Sequence, residues 1–417
     1  MADIRPFKSY RPAEGKAETI ASLPYDVFSR QEAYEKVKKY PDCFLAIDRP
    51  ETQFEPEHDM YAPEVYQKAH DMLWNQIESG IFVQDEKPCY YIYEQTMNGR
   101  TQTGIVACAS IDDYLNGVIK KHENTREEKE QDRINHVYTC EAQTGPIFLC
   151  YRKNKLLSEL VDRIREVDTP VYDFVSEDGV KNRVFLVDDQ EEIDTISRIF
   201  TTIDSIYIAD GHHRCASAVK VGLRKRKELQ GKVRGKLESD LFLSVLFADE
   251  DLYIMDYNRV VKDLNGLTKE EFFDKLSVGF EVDEANAAFS PANKGEFALF
   301  LEDKWYKLTA KKAILSEDPV EGLDVSTLQG NVLGPILGIG DPRTDKRIDF
   351  VGGIRGLSEL EKRCHEDMKL AFAMHPTSIS ELFDVADAGL LMPPKSTWFE
   401  PKLLSGLFIH GINGTLK

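Results

Sequence analysis

Along most of the chain, apolar residues either recur every three or four positions or alternate with polar ones, and each period predicts an element. "PEVYQKAHDMLWNQIESGIF" (63–82) has helical spacing and stops at Gly80. "KLLSELVDRIREV" (155–167) is amphipathic in the same way. "CYYIYEQTMNGRTQTGIVACASIDDY" (89–114) predicts two strands around an Asn-Gly turn. "GPIFLCYRKN" and "NRVFLVDD" predict short strands on either side of the 155–167 helix. From 195 to 232 the pattern reads helix, short strand, tight loop, helix. Two strands follow in 240–261, a helix and a strand in 268–289, and a hairpin in 296–310. Helices are predicted near 323–338, 357–372 and 377–387, then a loop and a terminal strand from 392 to 410.

This alternation predicts an α+β chain with mixed and antiparallel sheets and interspersed helices. Its 417 residues exceed one small core. We expect a core part at 1–265 and an additional C-terminal α/β part at 266–417 packed on it. A net charge of -19 opposes a broad nucleic-acid surface. The opening "MADIRPFKSYRPAEGK" has no apolar signal core, and no run reaches the roughly 18 apolar residues of a membrane span. The expectation is a cytoplasmic protein with no membrane partner. The seven cysteines form no CxxC pair and predict reduced, buried thiols rather than a structural zinc site.

The densest chemistry is "YIADGHHRCASA" (207–218). A β-prone run ends in an acid and a glycine and passes straight into a helix. Glycine lets the backbone approach a ligand, and the first amides of a helix are unpaired and partially positive. Gly211, His212 and Arg214 are therefore expected to seat an anion, Arg214 through a planar fork suited to two phosphate oxygens. One histidine could donate to phosphate while the other packs, and Asp210 could hold Arg214 or a histidine in place, or touch a metal or substrate hydroxyl; Asp210 and His213 are candidates for catalysis. Adjacent histidines share one tetrahedral ion poorly, which argues against zinc.

Three other clusters carry candidate chemistry. In "PYDVFS" (24–29), Tyr25 and Asp26 could orient a substrate from a turn fixed by Pro24. "KKHENTREEKEQDR" (120–133) brings His122, Glu123 and Arg126 together, and a carboxylate beside a histidine can act as general base. In "MPPKSTWFEPK" (392–402), Lys395, Ser396, Thr397 and Lys402 are phosphate-type donors beside two aromatics, without the upstream glycines of a phosphate loop. The basic run "LRKRKELQGKVRGK" (223–236) reads as a solvated helix face.

"PYDV", "HENT…DR", "ADGHHR" and "MPPKSTWFEPK", in this order, resemble domain-of-unknown-function family 1015 over nearly the whole chain. The "DGHHR" turn running into a helix also resembles the phosphate-binding turn of the ParB/sulfiredoxin superfamily, which includes free-serine kinases. That second resemblance implies a phosphate-binding core of this type and a phosphotransferase acting on a small hydroxylated metabolite, with serine or phosphoserine the best named case. It implies Glu123 as catalytic base, nucleotide phosphates on residues 210–214, and ATP or ADP with Mg²⁺ as cofactors. The alternatives are a nucleotide-dependent regulatory protein of ParB type and a phosphatase or other hydrolase using the same anion site.

Overall fold

The computed structural model describes residues 1–230 and 235–416. The chain divides into two units, one of Met1–Leu252 with Pro401–Lys417 and one of Tyr253–Glu400. The expected boundary at 265 instead falls inside the second unit, and the last stretch of sequence returns to the first.

The first unit is built on a nine-stranded mixed sheet. Its centre is the hairpin Tyr90–Met97 and Arg100–Ser110. Asn98 and Gly99 close that hairpin with φ of 51° and 77°, the left-handed pair that matches the twist of the flanking strands. Arg100–Ser110 pairs antiparallel with Leu241–Ala248, which runs parallel to Ile147–Tyr151. Ile147–Tyr151 then pairs antiparallel with Ile206–Asp210. Leu241–Ala248 is buried along its whole length, as a run apolar but for Ser244 requires of a central strand. The helix Lys155–Val167, capped by the Asn154 side chain, turns Leu157, Leu160, Val161 and Ile164 into the core below the sheet. The helix Pro63–Glu78 starts on its proline and stops before Gly80, at φ 78°.

The helix His212–Leu229 packs closely on the chain that leads into the central strand. A Cβ on its Gly222 would stand 2.4 Å from the Ser239 carbonyl oxygen and 2.7 Å from Ile111 Cδ1. Glycine to alanine inside a helix normally gains about 1 kcal/mol. Overpacking against backbone that cannot rotate away costs about 1–3 kcal/mol. Gly222→Ala is therefore expected to lower stability by about 1 kcal/mol in a denaturant titration, and a gain would show that the helix can slide.

The second unit is a six-stranded antiparallel sheet. Its order is Phe280–Ala285, Lys304–Ala310, Glu296–Leu301, Leu370–Met374, Tyr257–Val261 and Ile348–Gly352. The helix Leu357–Glu366 contributes Leu360 to a core with Val260, Ala298 and Ala371. The helix expected over 357–372 stops at Glu366, and Leu370–Met374 is a strand paired on both sides. The 323–338 helix is reduced to Asp324–Leu328 followed by a wider turn at Gln329–Leu333. The terminal strand shrinks to the two-residue pairings Trp398–Phe399 and His410–Gly411. Among the described residues no helix is long and apolar enough to cross a membrane. All seven cysteines are free, six buried and Cys364 partly so.

Candidate functional site

Most of the motif residues of the first unit meet at one helix N-terminus. The strand Ile206–Asp210 shifts register between Ile208 and Asp210, and the helix His212–Leu229 starts at once. Gly211 joins them with φ 92° and ψ 30°, a left-handed conformation that a Cβ resists. A Cβ there would also come within 3.2 Å of Arg214 Nε, so glycine lets the guanidinium fold back over the turn. No side chain caps this helix, whose first amides keep the partial positive charge of an open N-terminus.

Arg214 is one of the buried side chains left with an unpartnered polar atom. Its Nη1 donates to the Pro146 carbonyl at 2.6 Å, while its buried Nε meets no partner. Burial works against its charge, but Asp26, Asp210, Tyr25 and Asp48 outweigh it through space and keep the guanidinium protonated. It lines a cavity of about 30 Å³ with Tyr25, Asp48, Arg133, Thr144 and Ser405. That is room for about two waters. Gly145 keeps one wall free, since a Cβ there would reach within 3.1 Å of Ser405 Oγ and 3.8 Å of Arg214 Nη1.

Asp210 is occupied. Its Oδ1 accepts from the Gly211 amide at 2.7 Å, and its Oδ2 accepts from Lys402 Nζ at 3.1 Å. Burial opposes its charge, yet Lys402 and Arg214 hold its carboxyl far below the usual range. It is thus too weak a base for the proton transfer expected of it, and the Gly211 amide expected to seat an anion is already donated. Asp210 instead holds Lys402 beside the turn.

The two histidines tie down the loop 121–126. The His122 amide donates to His212 Nε2 at 3.4 Å, and the Arg126 amide donates to His213 Nε2 at 2.9 Å. Each ring accepts at Nε2, so each is neutral with its proton on Nδ1. Burial pushes both below the ordinary histidine range. The expected donation from His213 to phosphate cannot come from Nε2. On the other side of His212, Nδ1 faces Glu123 Oε2 at 3.8 Å. The Glu123 side chain is 43 % exposed and that of His212 only 4 %, so the carboxylate stands between a buried N–H and solvent.

His122, expected at the substrate, lies behind the site. It is buried, its ring edge-to-face on His212 at 4.5 Å. The Arg126 side chain is exposed. Tyr25 and Asp26 lie in the short turn Tyr25–Val27, held by Arg49 Nη1 donating to the carbonyls of Tyr25 and Phe28. The Arg133 guanidinium covers the Tyr25 ring at 4.1 Å. Burial pushes the Tyr25 hydroxyl up to about 12.

The sequence reading missed Asp48, Arg49 and Glu51, all buried. Thr144 Oγ1 donates to Asp48 at 2.7 Å, and Arg49 pairs with Glu51 at 2.5 Å. The signal was a charged "DRPE" set directly after the apolar "CFLAI".

"MPPKSTWFEPK" is divided between the units. Lys402 belongs to the first, beside Asp210, whereas Lys395, Ser396 and Thr397 belong to the second. Ser396 Oγ donates to the Pro393 carbonyl at 2.6 Å and holds its own loop. In the basic run, Arg224 pairs with Glu228, and Arg226 with Asp112 and Asp240. Arg224 and Lys227 are exposed, whereas Lys225 and Arg226 are partly buried, and 231–234 of that run lie outside the described residues. Cys215 is buried in the core of the first unit, its thiol pushed up by burial. Among the described residues no three His, Cys, Asp or Glu side chains form a metal cluster.

The family DUF1015, described as a protein of unknown function, matches residues 4–326. No curated protein matches the chain. Among solved structures, a free serine kinase in complex with AMP is 16 % identical, with a TM-score of 0.37, over 74 % of this chain and 91 % of its own. A conserved hypothetical protein from Pyrococcus furiosus is 17 % identical, with a TM-score of 0.33, over 72 % of this chain and 94 % of its own. SbnI with C-terminal truncation from Staphylococcus aureus is 12 % identical, with a TM-score of 0.35, over 72 % and 85 %. Similarity at this level assigns no activity.

Proposed function

The chain belongs to the DUF1015 family of proteins of unknown function, and from that premise we propose that it is a phosphotransferase acting on a small hydroxylated metabolite. Serine is the first substrate to test, and ATP or ADP the donor, on the motif resemblance of the "DGHHR" turn. One observation carries the reading: Arg214 keeps a buried, unpartnered Nε at the mouth of an open helix start, two residues after a histidine that faces Glu123.

In this reading the 212–214 amides, Arg214 and Lys402 take the phosphate oxygens. Lys402, parked on Asp210, supplies charge as negative charge develops on the transferred group. Glu123 accepts the hydroxyl proton, its carboxylate oriented by His212 Nδ1–H. Mg²⁺ needs only one or two carboxylates besides phosphate oxygens. Asp26, exposed and the acid that acts most strongly on Arg214, is the group we assign to it. Bound there, the ion would neutralise phosphate charge.

The test is direct. The full chain is incubated with Mg²⁺, ATP or ADP, and a panel of hydroxy-amino acids and polyols, and phosphorylated products are separated. A charge-assisted hydrogen bond contributes about 1.5–3 kcal/mol. Arg214→Met is therefore expected to weaken nucleotide binding on the order of tenfold to a hundredfold. If no substrate is phosphorylated and Arg214→Met binds nucleotide like the parent, the reading fails.

A further inference from the structure

Three arginines of the described residues are buried: Arg49, Arg133 and Arg259. Two of them follow the usual rule that a buried guanidinium is matched by a carboxylate. Arg49 pairs with Glu51, and Arg133 with Asp132 at 2.8 Å. Arg259, in the second unit, breaks the rule. It is 4 % exposed, and its two hydrogen bonds go to the backbone carbonyls of Tyr257 and Lys395, the latter at 3.0 Å. Among the described residues no acid pairs with it: burial pulls the guanidinium down to about 10, with Tyr257 opposing this. Carbonyl dipoles satisfy two N–H groups but do not neutralise a cation, so a full positive charge is held in a low-dielectric place without a counter-charge.

The surroundings have the make-up of a site. Arg259 lies on the middle of the strand Tyr257–Val261, and by alternation it faces away from Val260 and the core under the helix Leu357–Glu366. A second cation comes from the "MPPKST" loop: Lys395 is exposed, and its Nζ sits 5.3 Å from the Tyr257 ring centre. Lys395 has φ 63°, so the loop turns sharply at the residue whose carbonyl Arg259 grips. Aromatic rings surround the pair. Trp398 meets Tyr257 edge-on at 5.0 Å, and Phe350 stands 5.4 Å from the Arg259 guanidinium carbon. Trp398 lies flat on the Gly352 backbone, where a Cβ would come within 2.7 Å of the indole.

We propose that the second unit carries its own oxyanion site, in which Arg259 and Lys395 together hold a small phosphate-bearing ligand beside Tyr257. The ligand is the counter-charge that Arg259 lacks. Nη1 and Nη2 each commit one N–H to a carbonyl, which leaves their second N–H groups and Nε–H for phosphate oxygens, and Lys395 adds a point charge from the loop. The site is independent of the phosphotransferase reading, because every residue in it belongs to Tyr253–Glu400.

The experiment is a calorimetric titration of the full chain with inorganic phosphate against chloride of matched ionic strength, in an Arg214→Met background that weakens the candidate site of the first unit. That protein is expected to bind phosphate. Adding Arg259→Met should abolish the binding, and adding Lys395→Asn should weaken it about tenfold. Asparagine tolerates the left-handed backbone at that position. Methionine replaces a buried charge with an apolar chain of similar volume but leaves the Tyr257 and Lys395 carbonyls without that donor, so Arg259→Met is expected to stay folded and to melt somewhat lower than its parent. Lys395→Asn changes an exposed side chain and serves if Arg259→Met fails to fold. Absence of phosphate binding in the Arg214→Met background overturns the proposal. So does phosphate binding that neither second-unit change alters.

Discussion

Glu123→Gln is expected to leave nucleotide binding intact and to slow transfer by about a hundredfold to ten-thousandfold, the usual worth of a positioned general base. Glutamine keeps the length and shape of the side chain and still offers a carbonyl oxygen toward His212 Nδ1–H, 3.8 Å away in the parent. Only the proton affinity is lost. Because Glu123 does not belong to the phosphate seat formed by 212–214 and Lys402, the Kd for nucleotide should not move. Single-turnover rates and equilibrium binding on the same protein separate the two effects. A parallel fall in both would mean that Glu123 organises the loop rather than the chemistry.

Acidification is expected to remove about 3 kcal/mol of stability between pH 6.5 and 4 through His122 alone. Burial depresses its imidazole to about 4, against the weaker pull of Asp210 and the Ile208 backbone. The unfolded chain takes up a proton near pH 6.5 and the folded one only near 4. Between those values the unfolded state binds more protons, so stability falls as pH falls. The contribution is complete above pH 6.5 and lost on descending through 4. His212 and His213 act in the same direction, since both are depressed and both accept a backbone amide only while neutral. Carboxylates titrate in part of the same window, so the comparison is with His122→Phe. Phenylalanine keeps a planar ring without ionisable nitrogens, and the melting temperature of His122→Phe should fall less between pH 7 and 4.5. Identical pH profiles for the two proteins would remove His122 from the account.

What could be read from the sequence were features written in adjacent residues. The Asn98–Gly99 turn, the 155–167 helix and the strand–glycine–helix junction at 206–212 are each specified within a few positions. The 370–374 strand was not legible, because "LAFAM" is buried on both faces and shows neither period. The site was half legible. Glu123, His212 and Arg214 stood out as chemistry, but their division of labour depends on contacts from far along the chain, such as Lys402 reaching Asp210. Asp48, Arg49 and Glu51 were hidden by the expectation that charged residues lie on the surface. Arg259 was hidden in the same way, one charge within a β-prone run.

The segment 401–417 imposes an order of events on biosynthesis. Its backbone accepts hydrogen bonds from Gln95 and Gln102, and its Phe408 ring packs against Tyr91 and Tyr93 of the central hairpin. The ribosome releases 401–417 only after all of 253–400 has been translated, long after those partners. A nascent chain can therefore assemble most of the nine-stranded sheet early, yet it must keep the seat for Lys402 vacant, and its hairpin aromatics uncovered, until the intervening unit has emerged.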